Sequence, residues 1–445
     1  MRRALLLILA LFPLDAQATP LADEVARLAK PLVEREQVHA VAIGLYRAGK
    51  RETYGFGAVR PGGPAPGAHT TFEIGSITKV FTALILADAA ARGEVTLEEP
   101  VSRLLPGWTI PTRSRSAITL TQLTTHTSGI PRMPPGFTAT DPRDPYKDYD
   151  EAKLRAFLAG YALPRAPGAA YEYSNLGVSL LGLALVQRIG RPLEALYAER
   201  VIRPLGMTET SLARLPDVQG YDDDGDPTPP WTQTSTAACG ALRGSVSDLL
   251  QLISAELDPP KGTLGDGLRA AIDPRYDDGK HRVALGWHFG RPDAPSTVWH
   301  NGGTGGFSSF VGFDPAARVG VAILASGRTD FVDKLGDALL TVVHGGTATL
   351  SPPPVVKLSA AQLDALVGDF ALSPAFHLVV TRAGDRLYLQ ATGQPRFRLY
   401  PDGPDSARIR VVDARLTFER GADAGVAAAV LHQGGRDQRA TRVAP

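Results

Sequence analysis

The order of elements in this chain predicts an α+β fold, and three observations carry that prediction. A helix and a hairpin open the chain, a long helical stretch fills the middle, and strands followed by a helix return late. An antiparallel sheet flanked by helices and closed from both ends, with the middle as a mostly helical lobe, satisfies that order. Past Ser351-Pro352-Pro353-Pro354 only short strand-like runs remain, which adds a small C-terminal all-β domain.

Taken in order, the first residues are a separate object. Arg2-Arg3, an apolar run from Ala4 to Leu14 and the small-residue site Ala16-Gln17-Ala18 read as a cleavable secretory signal over 1–18. The apolar run is too short for a bilayer span, and no later stretch is long and apolar enough to be one. An opening helix is expected from Ala22 to Glu36, bent or broken near Pro31. Ala40 to Tyr46 and Glu52 to Gly57, joined across Ala48-Gly49-Lys50, read as a hairpin. Helices follow at Thr119 to Leu123, Ala152 to Leu158, Val178 to Ile189, Leu193 to Val201 and Ser247 to Ala255. Thr297 to His300, Phe307 to Asp314 and Val319 to Ala325 are three short strands, and Phe331 to His344 a helix. The expected units are therefore 19–348, a Pro-rich linker at 349–357 and a β domain at 358–445. In that last unit His377 to Val380, Arg386 to Leu389, Arg408 to Val412 and Arg415 to Phe418 are strand-like.

At 445 residues, 47 basic side chains nearly balance 46 acidic ones with no long run of one sign. That argues against nucleic acid or an anionic membrane as the main partner and favours a small or neutral substrate. Cys239 is the only cysteine, so no internal disulfide can form. The nine His are scattered without a metal-binding spacing. Asp222 to Asp226 hints at a calcium loop, but Gly220 and Trp231 occupy ligand places, and the stretch reads as a solvated acidic turn.

Chemistry concentrates around Phe72-Glu73-Ile74-Gly75-Ser76-Ile77-Thr78-Lys79. Residues three apart at a helix start share a face, so the Ser76 hydroxyl can meet the Lys79 amine. Ile77, Val80, Phe81, Leu84 and Ile85 give that helix a broad apolar stripe, and Gly93 supplies a stop. A first-turn serine also has a free backbone N–H that can point at a developing oxyanion. Alone, this spacing is common. Two further stretches add to it: Tyr173-Ser174-Asn175 at a helix entrance, with Asn175 as a possible N-cap, and His300-Asn301-Gly302-Gly303 at a strand end. A phenol can shuttle protons, an amide can orient a carbonyl, and the Gly303 N–H can be a second oxyanion donor.

S-x-x-K on a helix, Y-x-N on a loop and H-x-G on a strand, in that order, resemble the penicillin-recognising serine hydrolases. The likeness is greatest to class C β-lactamases and their DD-peptidase and esterase relatives. A related signature of that superfamily has S-D-N and K-T-G as its second and third boxes. Leu123 to Ile130 and Gly302 to Phe307 also look like recurring family stretches, and the resemblance spans Leu21 to His344. It implies a β-lactamase/transpeptidase-like fold and no cofactor. It makes Ser76 the nucleophile, Lys79 and Tyr173 the shared general base and acid, and Asn175, His300, Gly302 and Gly303 substrate-binding. Many β-lactamases have Lys where His300 stands, so the neutral imidazole shifts weight away from efficient β-lactam hydrolysis. The tail from Leu358 resembles a lipocalin-like β domain. The implied function is an exported, periplasmic or secreted serine hydrolase acting on β-lactams or D-amino-acid peptides. A short-chain carboxylesterase and a non-turning-over penicillin-binding sensor are the alternatives.

Overall fold

The computed structural model describes residues 20–291, 294–410, 412–422 and 424–443, so the signal-like segment at 1–18 lies outside the described residues. Pro31 does not break the opening helix: α1 (Leu21–Glu34) runs through it and buries Val25, Leu28, Ala29 and Leu32. The hairpin follows as β1 (Ala40–Arg47) and β2 (Lys50–Gly57). Its two-residue turn places Ala48 at φ +50 and Gly49 at φ +79, the left-handed pair that suits the twist of adjoining strands.

β1 is apolar on both sides of its pleat, and the fold uses both. Val41, Ile43 and Leu45 enter a core shared with α1, while Ala40, Ala42 and Tyr46 enter the larger core under the helical lobe. That lobe contains α2 (Thr78–Ala91), α3 (Asn175–Ile189) and α4 (Val246–Leu257). Gly44 lets α4 close on the sheet, since a Cβ there would stand 2.9 Å from Leu250.

Late strands complete the sheet: β3 (Tyr276–Asp277), β4 (Arg282–Val283), β5 (His288–Arg291), β6 (Ala294–Gly303), β7 (Phe307–Asp314) and β8 (Val319–Ser326), followed by α5 (Phe331–Val343). The order is β2-β1-β8-β7-β6-β5-β4-β3, antiparallel throughout, and β1 pairs with β8 from Ala40 opposite Ser326 to Arg47 opposite Val319. The sheet is thus closed from both ends of this region, as the element order predicts.

The C-terminal part is an eight-stranded closed barrel: β9 (Gly368–Ser373), β10 (Phe376–Ala383), β11 (Arg386–Ala391), β12 (Arg396–Gly403), β13 (Ser406–Ile409), β14 (Ala414–Arg420), β15 (Val426–Gln433) and β16 (Arg436–Arg442). Each strand pairs with its chain neighbour, and Phe370 opposite Arg442 closes the ring. Phe370, Leu378, Leu387, Leu416 and Phe418 fill it. A short helix, Ala360–Leu366, is started by a Ser359/Gln362 capping box and inserts Leu363 and Leu366.

The Asp222 to Asp226 stretch is not the solvated turn expected from sequence. Arg386 forks onto the Asp226 carboxylate at 2.6 and 2.7 Å, the Tyr400 hydroxyl donates to the Asp223 carbonyl at 2.6 Å, and Arg398 donates to the Asp224 carbonyl. The acidic turn is the barrel's docking point on the first domain. Its partners lie 160 or more residues downstream, beyond the reach of any local pattern.

Candidate active site

Ser76 is held by short-range geometry on every side. Phe72–Glu73 pairs with Arg243–Gly244, Gly75 turns the chain at φ +51, and Gly75–Ile77 forms one 3-10 turn that leads into α2. Every residue of α2 from Thr78 to Ala89 is buried, because apart from Lys79 and Asp88 the sequence is apolar or small all around the helix. The predicted contact is present: Lys79 Nζ lies 3.0 Å from Ser76 Oγ. The same amine donates to the Cys239 carbonyl at 2.7 Å, with Lys79 only 1% exposed. Cys239 therefore enters the site by its carbonyl, a partner that sequence reasoning had no signal to find.

The end of β6 lies directly against the serine turn. A Cβ on Gly75 would stand 2.7 Å from the Gly303 nitrogen, and one on Gly302 would stand 3.0 Å from the Ser76 nitrogen and collide with the Ile74 carbonyl. Only glycine allows this approach. Ser309 Oγ donates to the Ile74 carbonyl at 2.9 Å and fixes the two pieces together. The serine turn and the Gly302–Gly303 end of β6 are thereby brought into direct backbone contact.

Tyr173 arrives on the turn before α3. Ser174, not Asn175, caps that helix, accepting from the Gly177 amide at 2.8 Å. The Tyr173 ring centre lies 4.9 Å from Lys79 Nζ, 5.5 Å from the Arg132 guanidinium and 4.3 Å from the His126 ring. His126, at φ +60, clamps the turn twice: its carbonyl accepts from the Glu172 amide at 2.7 Å and its Nδ1 from the Ser174 amide at 3.1 Å. Because Nδ1 accepts, the imidazole is neutral. Burial, then the nearby Lys79, His288 and His300, hold its pKa well below the usual histidine range. The sequence shows His126 only as part of a recurring stretch, with no sign of this role.

His300 is 1% exposed, and its Nδ1 lies 2.6 Å from the Asn301 carbonyl. Burial first, then His288 and Lys79, push its pKa well below the ordinary value. Its ring stands 5.1 Å from His288 and 6.5 Å from Tyr173. Burial likewise takes His288 down to about 4. Three uncharged imidazoles thus sit together at neutral pH, two of them, His126 and His300, beside Tyr173. Asn175 donates to the Tyr146 hydroxyl at 3.2 Å, while its Oδ1 is buried with no partner among the described residues.

Above these groups opens a cleft of about 620 Å³. Of the seven residues expected from sequence, Ser76, Tyr173, Gly302 and Gly303 line it, and Lys79, Asn175 and His300 do not. Its walls add residues that sequence left unassigned, among them Arg132, Tyr171, Trp231, His288 and Arg328. The arrangement suits attack by a serine hydroxyl on a carbonyl carbon: a buried amine in contact with the hydroxyl, a phenol beside the amine, and the Gly302–Gly303 strand end against the serine turn.

The family model described as Beta-lactamase matches residues 25–344. The D-alanyl-D-alanine-carboxypeptidase/endopeptidase AmpH of Escherichia coli K12 is 27% identical over 330 residues, covering 68% of this chain and 83% of that protein. A β-lactamase of Pseudomonas fluorescens is 26% identical over 349 residues, 69% of this chain and 94% of that one. Among solved structures, the D-alanine carboxypeptidase AmpC from Burkholderia cenocepacia superposes with a TM-score of 0.62 at 26% identity, over 72% of this chain and 99% of that one. A class C β-lactamase gives 0.63 at 21% identity over 72% and 96%, a likeness of fold. With a matching family model over most of its length and this fold, the chain belongs to the Beta-lactamase family and is an enzyme of the serine hydrolase type.

Proposed function

We propose that this enzyme hydrolyses an amide, lactam or ester through an acyl-enzyme on Ser76. The observation that carries the reading is the 3.0 Å contact between Lys79 Nζ and Ser76 Oγ, made by an amine that is shut away from solvent and also bound to the Cys239 carbonyl. A lone pair on that amine can take the serine proton while an N–H remains on the Cys239 carbonyl. Oγ then bonds to the carbonyl carbon, the oxyanion forms between the Ser76 and Gly303 amides, and Lys79 and Tyr173 pass the proton to the leaving group. Water attacks in the second step and returns the proton to Ser76. Asn175, whose Oδ1 has no partner among the described residues, orients the groups below the cleft, and Gly302 keeps the strand close.

The substrates are β-lactams or D-amino-acid peptides, the classes named for the relatives, and the signal-like sequence at 1–18 supports a periplasmic or secreted enzyme. A neutral, buried His300 supplies no fixed charge for a carboxylate, and this favours a second reading as a short-chain carboxylesterase. Ser76→Ala is expected to abolish covalent labelling by a fluorescent penicillin or a fluorophosphonate with the circular dichroism spectrum unchanged. Equal labelling of the variant would overturn the assignment. Nitrocefin, a D-Ala-D-Ala peptide and p-nitrophenyl butyrate, assayed together, separate the substrate classes. An adduct that persists in time-resolved mass spectrometry would identify a sensor instead.

A further inference from the structure

The barrel lies outside the family match, which ends at residue 344, yet it grips the cleft from two directions. On one side it holds the Asp222 to Asp226 turn through Arg386, Arg398 and Tyr400. On the other, the Arg410 carbonyl accepts from the Asp330 amide at 3.1 Å. Between these grips stands Arg328, which lines the cleft and donates through Nη1 to the Asp223 carboxylate at 2.9 Å. Asp223 is thus tied to the barrel by its backbone and to the cleft by its side chain. Arg328 is 39% exposed along its side chain, and its other guanidinium nitrogens make no hydrogen bond among the described residues. A guanidinium oriented on one edge and open on the other suits a carboxylate.

The acids beside it on that wall are already engaged, so they do not compete for its open edge. Asp330 pairs with Lys334 at 2.5 Å, and Asp333 accepts from the Asn301 amide at 2.7 Å. His300, at the strand position where a cation would otherwise meet such a group, is neutral and buried. We propose that the C-terminal barrel is a specificity element of this enzyme: by gripping the acidic turn and the Asp330 loop it fixes Arg328 on the cleft wall, where the guanidinium takes an anionic group of the substrate remote from the scissile carbonyl. The inference rests on the serine hydrolase reading for its substrate and on the barrel contacts alone for its positioning half.

The test is a ratio, read on the full-length enzyme. Mono-p-nitrophenyl adipate and p-nitrophenyl hexanoate differ in the charge at the far end of the acyl chain, and kcat/KM is measured for both. Arg328→Gln lowers the adipate-to-hexanoate ratio about tenfold, the scale of one charge-assisted hydrogen bond at a partly exposed site. Arg386→Asp lowers it similarly through KM, and the charge swap Asp226→Arg with Arg386→Asp restores it. An unchanged ratio in both single variants, or a loss that the swap leaves in place, overturns the proposal. Hydrogen exchange gives a readout that needs no turnover. Arg386→Asp speeds exchange of the 328–333 amides, the swap slows it again, and equal protection in all three proteins also overturns it. Failure of the earlier reading has a different signature, which is absence of Ser76 labelling in the wild-type enzyme.

Discussion

The floor and the rim of the cleft are built on opposite principles. On the floor, Lys79, His126 and His300 expose 1%, 2% and 1%, and their polar contacts run largely to backbone groups of neighbouring turns. At the rim, Arg328 is 39% exposed and is placed by an ion pair with a turn that another domain holds. Groups on the floor are fixed by packing, and its histidines are kept uncharged where burial penalises charge, whereas the rim keeps its charges because water still reaches them. Substitutions on the floor should therefore stop the chemistry, and substitutions at the rim should redirect it.

The sharpest way to break this comparison is at Gly302. A Cβ there would meet the Ile74 carbonyl, Ser309 Oγ and the Ser76 nitrogen, and two of those three atoms are backbone that cannot turn aside. Gly302→Ala is expected to push β6 off the serine turn and part the two amides. Loss of one oxyanion donor costs on the order of 100-fold or more in kcat, and overpacking costs about 1–3 kcal/mol of stability. Steady-state kinetics beside a urea titration checks both. Activity within threefold of the wild type would mean that the amides need no such approach.

Part of the floor was also legible. Ser76 and Lys79 are three residues apart, so helix geometry alone predicts their contact, whereas Gly302 at the strand end makes room for the chain's own serine turn. The sheet was legible for the same reason: β1, β7 and β8 are apolar runs bounded by turn residues. What stayed hidden was either short or distant. β3 and β4 have two residues each, too few for any periodicity, and the polar β16 carries no strand signal. Cys239, His126 and Asp223 act through partners far along the chain, or through a carbonyl that every residue possesses. Side-chain identity predicts chemistry well and backbone roles poorly.

His126 tests whether floor residues act by position as well as by charge. Its left-handed backbone is uncommon for a side-chain-bearing residue, and Asn tolerates that conformation better than Leu. His126→Leu leaves the Ser174 amide without its acceptor and is expected to lower stability by about 1–3 kcal/mol and kcat about tenfold or more. His126→Asn can still offer an oxygen and should recover much of the stability while losing the ring that packs on Tyr173. Equal behaviour of the two variants in thermal melts and turnover would reduce His126 to a space-filler.

The smallest expected effect on turnover lies just behind the floor, where Glu256 is 3% exposed and accepts from the Trp287 indole at 3.2 Å, next to His288. Its second oxygen is buried without a partner among the described residues. Burial raises its pKa to about 8, with the indole hydrogen bond pulling the other way, so this carboxyl follows the floor's rule and stays uncharged at neutral pH. The sign follows from proton counting. Between the ordinary carboxyl value of 4.5 and about 8 the folded protein holds a proton that the unfolded chain has released. The stability contributed by this group is therefore complete below that window and is lost as pH rises through it. Glu256→Gln cannot ionise and keeps an oxygen for Trp287. It is expected to melt near the wild type at pH 5 and to gain on it by pH 9, by about 2–4 kcal/mol. Parallel melting curves from pH 5 to 9 would show that water reaches this carboxyl, and the uncharged floor would then end at His288.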